Sequence, residues 1–236
     1  MFFFAKLLLN FFDKFTQNQI FRFIKSVLNN KINVLMDVGS HRGEYINSIS
    51  KKFIIGKIYG FEPNPNSYKL LLKNTVKYKN LELLNFAADI SDGTKTLNIN
   101  IESSSSSINQ LNEKSKYFKR KYFFFNFLKN KNFSTPVEIK TISLSSFIDK
   151  NKLDIVDLLK IDTEGFEYNV IRGLKSNLNK IKLLHLEHHF DDMVIKNYKI
   201  TDIHNYLVNN NFKKVFKIKM KFRKSFEYIY QNQKLQ

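Results

Sequence analysis

Short apolar runs alternate along the chain with amphipathic stretches, and the runs stop at glycine or acidic residues. Three such runs lie at residues 34–38, 58–61 and 158–161. Gly39, Glu62 and Asp162 follow them directly. Continuous apolar runs of this length are typical of strands buried on both faces of a parallel sheet. The stretches between them carry helical periodicity, so the pattern predicts a doubly wound α/β fold.

The same pattern predicts the individual elements. Helices are expected at residues 3–28, 44–52, 67–78, 144–149, 167–174 and 201–209. Strands are expected at residues 34–38, 58–61, 81–87, 94–101, 137–142, 158–161, 182–187, 212–216 and 226–230. Ser67 and Thr201 are expected to cap the N-termini of their helices, because a serine or threonine hydroxyl accepts a hydrogen bond from the first turn.

The first glycine turn reads DVGSHRG at residues 37–43, and Glu62 stands 19 positions after Gly43. A strand, a glycine turn, a helix and a second strand ending in an acid outline a unit that binds an adenosine-type cofactor, with the acid on the ribose hydroxyls. Only Gly39 and Gly43 stand where dinucleotide-binding turns carry three glycines, which disfavours a pyrophosphate. An ordinary strand–turn–helix corner is the alternative.

The charge of the turn narrows the choice of cofactor. Asp37 would repel a phosphate but suits a cationic amino acid group, so S-adenosylmethionine, with its ammonium and sulfonium, is expected. After the third strand, Asp89 could accept a hydrogen bond from the adenine amino group, or serve only as a turn residue. The residues expected to bind the cofactor are Asp37, Gly39, Ser40, Gly43, Glu62 and Asp89.

Five segments, in this order, resemble the FkbM-type family of S-adenosylmethionine-dependent methyltransferases. They are DVGSHRG (37–43), FEPNP (61–65), TISLSSF (141–147), LLKIDTEGFE (158–167) and HLEHH (185–189). Two departures are Ser40-His41, where the family commonly has Ala-Asn, and Ser145, where it commonly has an aspartate. The resemblance implies a Rossmann-like, mostly parallel seven-stranded sheet with a closing antiparallel strand. It also implies a hydroxyl acceptor, often on a sugar or a secondary metabolite.

Methyl transfer to a hydroxyl sets the expectations for catalysis. The cofactor carries the activated methyl group, so the protein mainly aligns the reactants and assists removal of the hydroxyl proton. His188 is the preferred base, because an imidazole with a pKa near ~6.5 suits proton abstraction around neutrality. Asp162 and Glu164 are expected to orient the hydroxyl or the cofactor. His189 is the alternative base, since neighbours on a strand point to opposite faces.

No metal is expected. The rival arrangement places Asp162, Glu187 and His188 on a divalent ion, as in some small-molecule O-methyltransferases that clamp a diol. These acids lie at separate strand ends and lack the tight spacing of a ligand motif. Lys160 and His185 lie within strands, and structural roles are expected for them.

The composition limits the remaining possibilities. With 236 residues and no cysteine, the chain predicts one α/β domain without disulfides, in the cytoplasm. The net charge of +18 indicates nucleic acid, an anionic membrane or an acidic substrate, unless it reflects a lysine-rich genome and a solvated surface. Nucleic acid is not favoured as a partner. RNA 2′-O-methyltransferases commonly carry a second lysine at the end of a later strand, whereas the strand predicted at residues 182–187 ends in Glu187, His188 and His189. A non-catalytic cofactor-binding subunit is the second alternative.

Two segments stand outside this scheme. Residues 1–30 are expected to form an apolar and basic helical segment ahead of a methyltransferase domain at 31–236, and charges at Lys6 and Asp13 interrupt any span of a membrane. The helix is expected to pack on the domain or over the cofactor, or alternatively to contact a membrane at the inner face or a second copy in a homodimer. An insertion at about residues 100–135, with cations and aromatics mixed at 119–131, is expected on the substrate side.

Overall fold

The structure, a computed structural model, describes residues 2–100, 106–116, 118–120 and 134–235, with side chains from residue 12 onward. Its helices are α1 (Phe2–Leu28), α2 (Glu44–Ile49), α3 (Pro65–Thr75), α4 (Leu144–Lys150), α5 (Glu167–Arg172) and α6 (Ile200–Asn209), with a 3-10 helix at Lys175–Lys180. Its strands are β1 (Lys31–Val38), β2 (Ile54–Phe61), β3 (Leu81–Leu84), β4 (Ala87–Asp89), β5 (Gly93–Asn100), β6 (Ser134–Ser143), β7 (Val156–Ile161), β8 (Ile181–His189), β9 (Phe212–Lys219) and β10 (Ser225–Asn232).

The main sheet has seven strands in the order β3-β2-β1-β7-β8-β10-β9. The first five strands in this order, β3, β2, β1, β7 and β8, pair in parallel. Strand β10 lies between β8 and β9 and is antiparallel to both. The order reverses between β1 and β7, which is the place where open α/β sheets form a ligand crevice. The predicted doubly wound, Rossmann-like sheet with a closing antiparallel strand is therefore confirmed.

The run at residues 81–87 is two strands, and the prediction of one was wrong. Strand β3 ends at Leu84, while β4 belongs to a separate three-stranded sheet in the order β4-β6-β5. Between them Asn85 turns its amide toward β2, donating hydrogen bonds to the carbonyl oxygens of Glu62 at 2.7 Å and Pro63 at 3.1 Å. This side-chain anchor separates the two strands.

Two predicted helix caps were wrong by two or three residues. Asn64, and not Ser67, caps α3, because its Oδ1 accepts hydrogen bonds from the backbone N–H groups of Asn66 and Ser67. A proline at the first helical position then fixes the helical backbone. At α6 the cap is Lys199, whose N–H donates to Asp202 Oδ2 at 2.7 Å, and Thr201 lies inside the helix.

Helices cover both faces of the main sheet. Helices α1, α2 and α3 pack on one face, here named the α1 face, through an apolar cluster that includes Ile24, Ile46 and Leu71. Helices α4, α5 and α6 pack on the other face, named the α4 face, with Phe147 and Leu207 among the buried residues. Both faces of the central strands are therefore buried, as their continuous apolar runs predict.

The C-terminal half of α1, whose side chains are described, is part of the folded core. Ile20 and Ile24 are fully buried against the sheet, whereas Phe15 is 48% exposed. No helix among the described residues is long and apolar enough to cross a membrane. The side chains of residues 2–11 and most of the 119–131 stretch lie outside the part of the chain that the structure describes.

Candidate active site

The acidic residues that the sequence places at strand ends meet at one edge of the main sheet. Strands β1, β2, β7 and β8 are parallel, so their carboxyl ends share an edge. Asp37 lies near the end of β1, Glu62 follows β2 and Asp162 follows β7. Glu187 and His189 end β8. The order of strands and acids in the sequence was therefore enough to predict that these side chains share one edge of the sheet.

The glycine turn at residues 37–43 uses its own backbone N–H groups within the protein. Those of Gly39 and Ser40 both donate to the Phe61 carbonyl at 2.9 Å, and that of Gly43 donates to the Ser40 carbonyl. The N–H groups of residues 41 and 42 donate to the carboxylates of Glu62 and Glu44. A phosphate needs such groups for itself, so the turn is built for a ligand without phosphates.

Glu62 holds this turn against the end of β2. Its carboxylate accepts hydrogen bonds from the N–H groups of His41 at 2.7 Å and Asn64 at 2.9 Å. The side chain is buried, and burial raises the pKa of Glu62 to about 7 although both hydrogen bonds oppose the rise. A carboxylate with acceptor capacity left over is thereby fixed beside the turn, in the position that suits ribose hydroxyls.

Asp37 has an acceptor without a donor. The residue is 1% exposed, and its Oδ2 has no hydrogen-bond partner among the described residues. Burial raises the pKa of Asp37 to about 6, while the nearby Lys160 ammonium opposes the rise. A buried carboxylate oxygen without a donor is costly, and a cationic or hydrogen-bond-donating ligand would relieve that cost.

The two glycines of the turn are needed for packing. Gly39 has φ +85, and a Cβ there would lie 1.8 Å from the Asp162 carbonyl oxygen. Gly43 has φ +87, and a Cβ there would lie 2.6 Å from the Thr75 side chain of α3. The first glycine therefore lets the turn touch the end of β7, and the second lets α2 approach α3.

Asp89 is engaged in its own turn. Its Oδ2 pairs with Lys95 at 2.6 Å, and its Oδ1 accepts a hydrogen bond from the Ile90 N–H at 2.7 Å. It ends β4 in the second sheet and is 2% exposed. Both carboxylate oxygens of Asp89 thus already have partners within the second sheet and its turn.

A row of buried ionisable groups crosses the α1 face behind the edge. Lys160 Nζ lies 3.5 Å from Glu227 Oε2 and 3.9 Å from Asp162 Oδ2. His185 Nε2 lies 2.9 Å from the same Glu227 oxygen, and Tyr45 contacts the other ring nitrogen. Burial lowers the pKa of His185, whereas the surrounding carboxylates outweigh burial and raise that of Lys160. The structural roles expected for Lys160 and His185 match this row, but Glu227 carried no signal in the sequence.

Asp162, Glu164 and His189 come together at the open end of this row. Ligand-type atoms of these three side chains all lie within 4.8 Å of one another. Burial and the neighbouring Glu187 carboxylate raise the pKa of Asp162 well above its usual range. Burial would lower the pKa of His189, but Glu164, Asp191 and Glu187 outweigh it and raise the pKa to about 12. The surrounding carboxylates therefore favour the protonated form of His189.

His188, the base preferred from the sequence, lies on the α4 face. Its Nδ1 is 3.8 Å from Glu167 Oε2, and its ring packs beside Tyr198. Glu167 also accepts a hydrogen bond from the Gly165 N–H at 2.7 Å. The buried Glu167 pKa falls to about 2, because His188, Tyr198 and this N–H stabilise the carboxylate more than burial disfavours it. His188 thus lies on the face opposite to Asp162, and its Nδ1 has no hydrogen-bond partner among the described residues.

The described part of the insertion forms a wall of the site. Ser107 donates to the Glu164 carbonyl at 2.8 Å, and Asn109 Nδ2 donates to the Gly165 carbonyl at 2.6 Å. Leu111 forms a bridge with Val194, just beyond β8. These contacts tie residues 106–111 to the loop after β7.

Together, the reversed strand order, the turn without free amides and the acidic edge define a class of protein. It is a Rossmann-like enzyme with a crevice for a phosphate-free, adenosine-type cofactor. The family described as methyltransferase FkbM domain matches residues 37–214, and the chain belongs to that family. The resemblance seen in the sequence is thereby confirmed.

Individual relatives agree with this assignment. Hexuronic acid methyltransferase AglP of Haloferax volcanii is 26% identical over 157 residues, which are 66% of this chain and 56% of AglP. The solved FkbM methyltransferase of Methylobacillus flagellatus KT shares the fold with a TM-score of 0.52 and 13% identity, over 85% of this chain and 44% of that one. This chain therefore spans about half the length of both relatives.

A second solved structure carries a cofactor. The magnesium protoporphyrin IX methyltransferase of Synechocystis PCC 6803, solved with bound SAM, is similar with a TM-score of 0.51 and 11% identity, over 93% of this chain and 78% of that one. At that identity the likeness shows the fold alone.

S-adenosylmethionine is the cofactor of this methyltransferase. The residues present fit it on their own chemistry. The Asp37 oxygen that has no partner among the described residues suits an ammonium group, and the N–H groups of the turn are already bonded within the protein. When bound, the cofactor supplies a methyl group already activated on a sulfonium.

Proposed function

We propose that this protein is an O-methyltransferase whose acceptor is a hydroxyl of a sugar or another small molecule. The observation that carries the proposal is the polar wall formed by Asp162, Glu164 and His189 at the same sheet edge as Asp37 and Glu62. A catalyst of methyl transfer has to align an acceptor with the cofactor and receive a proton. The edge offers groups for both tasks.

On the cofactor side, each proposed contact uses an observed property of the residue. Asp37 holds the ammonium group, since its buried Oδ2 has no partner among the described residues. Glu62 accepts hydrogen bonds from the ribose hydroxyls, since its carboxylate is already oriented by two backbone N–H groups. Gly39, Ser40 and Gly43 shape the turn. Asp89 accepts a hydrogen bond from the adenine amino group beside its contacts with Lys95 and Ile90, since a carboxylate has acceptor sites for more than two donors.

On the acceptor side, His189 takes the place that the sequence analysis gave to His188. Asp162 and Glu164 present carboxylate oxygens to the acceptor hydroxyl and receive its proton, and His189 neutralises part of their charge. His188 lies on the opposite face of β8, beside Glu167, and is not proposed to touch the acceptor.

A hexuronic acid is the acceptor class that we propose first. The relative AglP is a hexuronic acid methyltransferase, and a chain with a net charge of +18 attracts an acidic sugar. Such a sugar offers both hydroxyl groups and a carboxylate. Methylation of the first gives an ether, and methylation of the second gives an ester.

The test uses tritium-labelled S-adenosylmethionine and glucuronic acid glycosides. We expect the wild-type protein to label the sugar, with alkali-stable counts because an ether resists hydrolysis. The Asp162→Asn variant should lose at least about 100-fold in rate if the carboxylate assists the transfer, whereas the exposed Asp154→Asn control should not. Alkali-labile counts would correct the acceptor atom to the carboxylate. Absence of labelling with every sugar tried, by protein that binds the cofactor, would overturn the acceptor class.

A basic and aromatic surface beside the site fits an acceptor held at an anionic membrane. We call it the hairpin patch: Phe15, Phe190, Lys219, Lys221 and Phe222. Phe222, at the turn between β9 and β10, is 75% exposed, and the Lys221 ammonium lies 5.5 Å from the centre of the Phe15 ring. The patch adjoins the site because β10 begins opposite His189. We propose that it contacts lipid headgroups when the acceptor is lipid-linked.

RNA 2′-O-methylation is the alternative function, and one observation bears on it. Lys160 and Asp162 end β7 and lie in contact, but the lysine is buried and also contacts Glu227. RNA binding that weakens steeply with salt would favour this alternative. Tight cofactor binding without a methylated product in any fraction would favour the accessory subunit instead.

A further inference from the structure

The side chains of Asp162, Glu164 and His189 are spaced like ligands of a metal ion. One ligand-type atom of each lies within 4.8 Å of the others. His189 Nε2 is 3.6 Å from Glu164 Oε2 and 3.4 Å from Glu187 Oε1. Both distances exceed those of good N–H···O hydrogen bonds. Ligand atoms bound at about 2.0–2.2 Å from one ion lie roughly 2.8–3.6 Å apart, and the 3.6 Å between His189 Nε2 and Glu164 Oε2 lies at the upper end of that range.

The imidazole of His189 has a carboxylate near each of its two ring nitrogens. The carboxylate of Asp191 lies 3.6 Å from Nδ1 of His189, on the side of the ring away from Glu164. Histidine ligands of metals commonly have their second nitrogen backed by a carboxylate, which fixes the ring and strengthens the ligand. Asp191 is itself held by the Met193 N–H at 3.0 Å.

An independent sign comes from the neighbouring strand. Ser225, at the start of β10, lies directly opposite His189 in the antiparallel pair. Side chains at directly opposite positions point to the same face of a sheet, so the Ser225 hydroxyl points to the side of the three ligand-type groups. It is 0% exposed and has no hydrogen-bond partner among the described residues. A water bound to an ion is a partner of the kind that it lacks.

We propose that Asp162, Glu164 and His189 bind a divalent cation, with Glu187 beside them and the Ser225 hydroxyl bonded to a water on the ion. Two carboxylates and one imidazole favour Mn²⁺ or Mg²⁺ over softer ions. These ligands differ from those considered in the sequence analysis. His189 replaces His188, and Glu164 replaces Glu187, which lies beside the ion. This site also reverses the expectation that no metal is bound.

The cation would have a defined task at this position. It would lie on the acceptor side of the edge, where it could hold two oxygens of a sugar, such as a hydroxyl and a uronate carboxylate. This role rests on the proposed function, whereas binding of the ion does not. An ion there would also offset the repulsion among the carboxylates of Asp162, Glu164 and Glu187.

The competing explanation is a plain ion-pair network. In it, the protonated His189 alone satisfies the carboxylates around it. The network explains the positions of the acids, but it leaves the Ser225 hydroxyl without a partner among the described residues.

The test titrates the full-length protein with Mn²⁺ and follows free Mn²⁺ by electron paramagnetic resonance, without cofactor or acceptor. We expect a single site with a dissociation constant of micromolar order, weakened at least about tenfold by His189→Gln, Asp162→Asn or Glu164→Gln. The matched control is His188→Gln, which changes the adjacent histidine on the opposite face and should bind within about twofold of wild type. Circular dichroism establishes that each variant is folded.

Two results would overturn the proposal. One is no Mn²⁺ site in folded wild-type protein, and the other is equal binding by the His189→Gln and His188→Gln variants. Because no cofactor is present, failure here leaves methyl transfer untouched. Conversely, loss of the proposed methyl transfer would not affect this measurement.

Discussion

At the scale of single residues, the cofactor pocket relies on carboxylates that burial makes hard to ionise. The pKa of Glu62 is raised to about 7 and that of Asp37 to about 6, in both cases chiefly by burial. Burial makes ionisation of these groups cost free energy, and a ligand with matching donors returns it. The pocket is thus prepared for a ligand that brings hydroxyl groups and a positive charge.

The raised pKa of Glu62 predicts a pH dependence of cofactor binding. The ionised carboxylate accepts hydrogen bonds from the ribose hydroxyls, and protonation removes an acceptor. Affinity should therefore rise as pH rises through about 7, and fall by up to about tenfold per unit below it. Calorimetry from about pH 8 to about pH 6.5 measures this, and Glu62→Gln should be weaker and nearly flat over the range. An equally steep slope in that variant would assign the effect to another group.

Gly39 makes a prediction about packing. A Cβ there would lie 1.8 Å from the Asp162 carbonyl oxygen, on a backbone with φ +85. Gly39→Ala should therefore lower the free energy of unfolding by more than about 2 kcal/mol and weaken cofactor binding as the turn moves away from β7. Urea denaturation gives the first quantity. A variant as stable as wild type would show that the close approach is not required.

The two histidines show where sequence reasoning stops at this scale. Alternation along β8 implies that His188 and His189 point to opposite faces, and the structure agrees. Which face carries the acceptor depends on how α1 and α2 cover one face of the sheet and α5 covers the other. Glu227 could not be singled out either, because its partners Lys160 and His185 are distant in the chain.

At the scale of elements, the parallel strands and most helices were predictable because their apolar patterns are long and periodic. The errors fall where a single side chain decides a boundary. Asn85 separates β3 from β4 by bonding to β2, and Asn64 starts α3 before the serine that the local sequence favoured. Such decisions depend on tertiary contacts that propensity does not contain.

Helix α1 gives the prediction at this scale. Ile24 is 0% exposed against the sheet, whereas Phe15 is 48% exposed. Ile24→Ala should cost about 3 kcal/mol of unfolding free energy, because it leaves a cavity. Phe15→Ala should cost less than about 1 kcal/mol, as changes at exposed sites do. Equal losses in urea denaturation would mean that α1 does not pack as a core helix.

At the scale of the whole molecule, the net charge of +18 acts on any anionic partner, and the hairpin patch gives it a location. The sequence could predict the charge but not where it meets exposed aromatics, since Phe222 and Phe15 are far apart in the chain. The hairpin patch lies close to the polar wall of Asp162, Glu164 and His189, because the end of β8 pairs with the start of β10.

Vesicle flotation tests the patch. The protein should float with phosphatidylglycerol vesicles, less with phosphatidylcholine, and less as salt is added. Phe222→Ser should reduce binding several-fold, whereas Val76→Ser, at an 84% exposed position outside the patch, should not. If both variants bind like wild type, the membrane contact lies elsewhere or is absent.

The central claim is that this chain binds S-adenosylmethionine through Asp37 and Glu62 at the carboxyl edge of its sheet. Calorimetry with S-adenosylmethionine tests it most directly, comparing wild type with Asp37→Asn and with the exposed control Asp154→Asn. We predict micromolar binding by wild type and control, and at least about tenfold weaker binding by Asp37→Asn, because the ammonium group loses its counter-charge. No binding by folded wild-type protein, or unchanged binding by Asp37→Asn, would contradict the account.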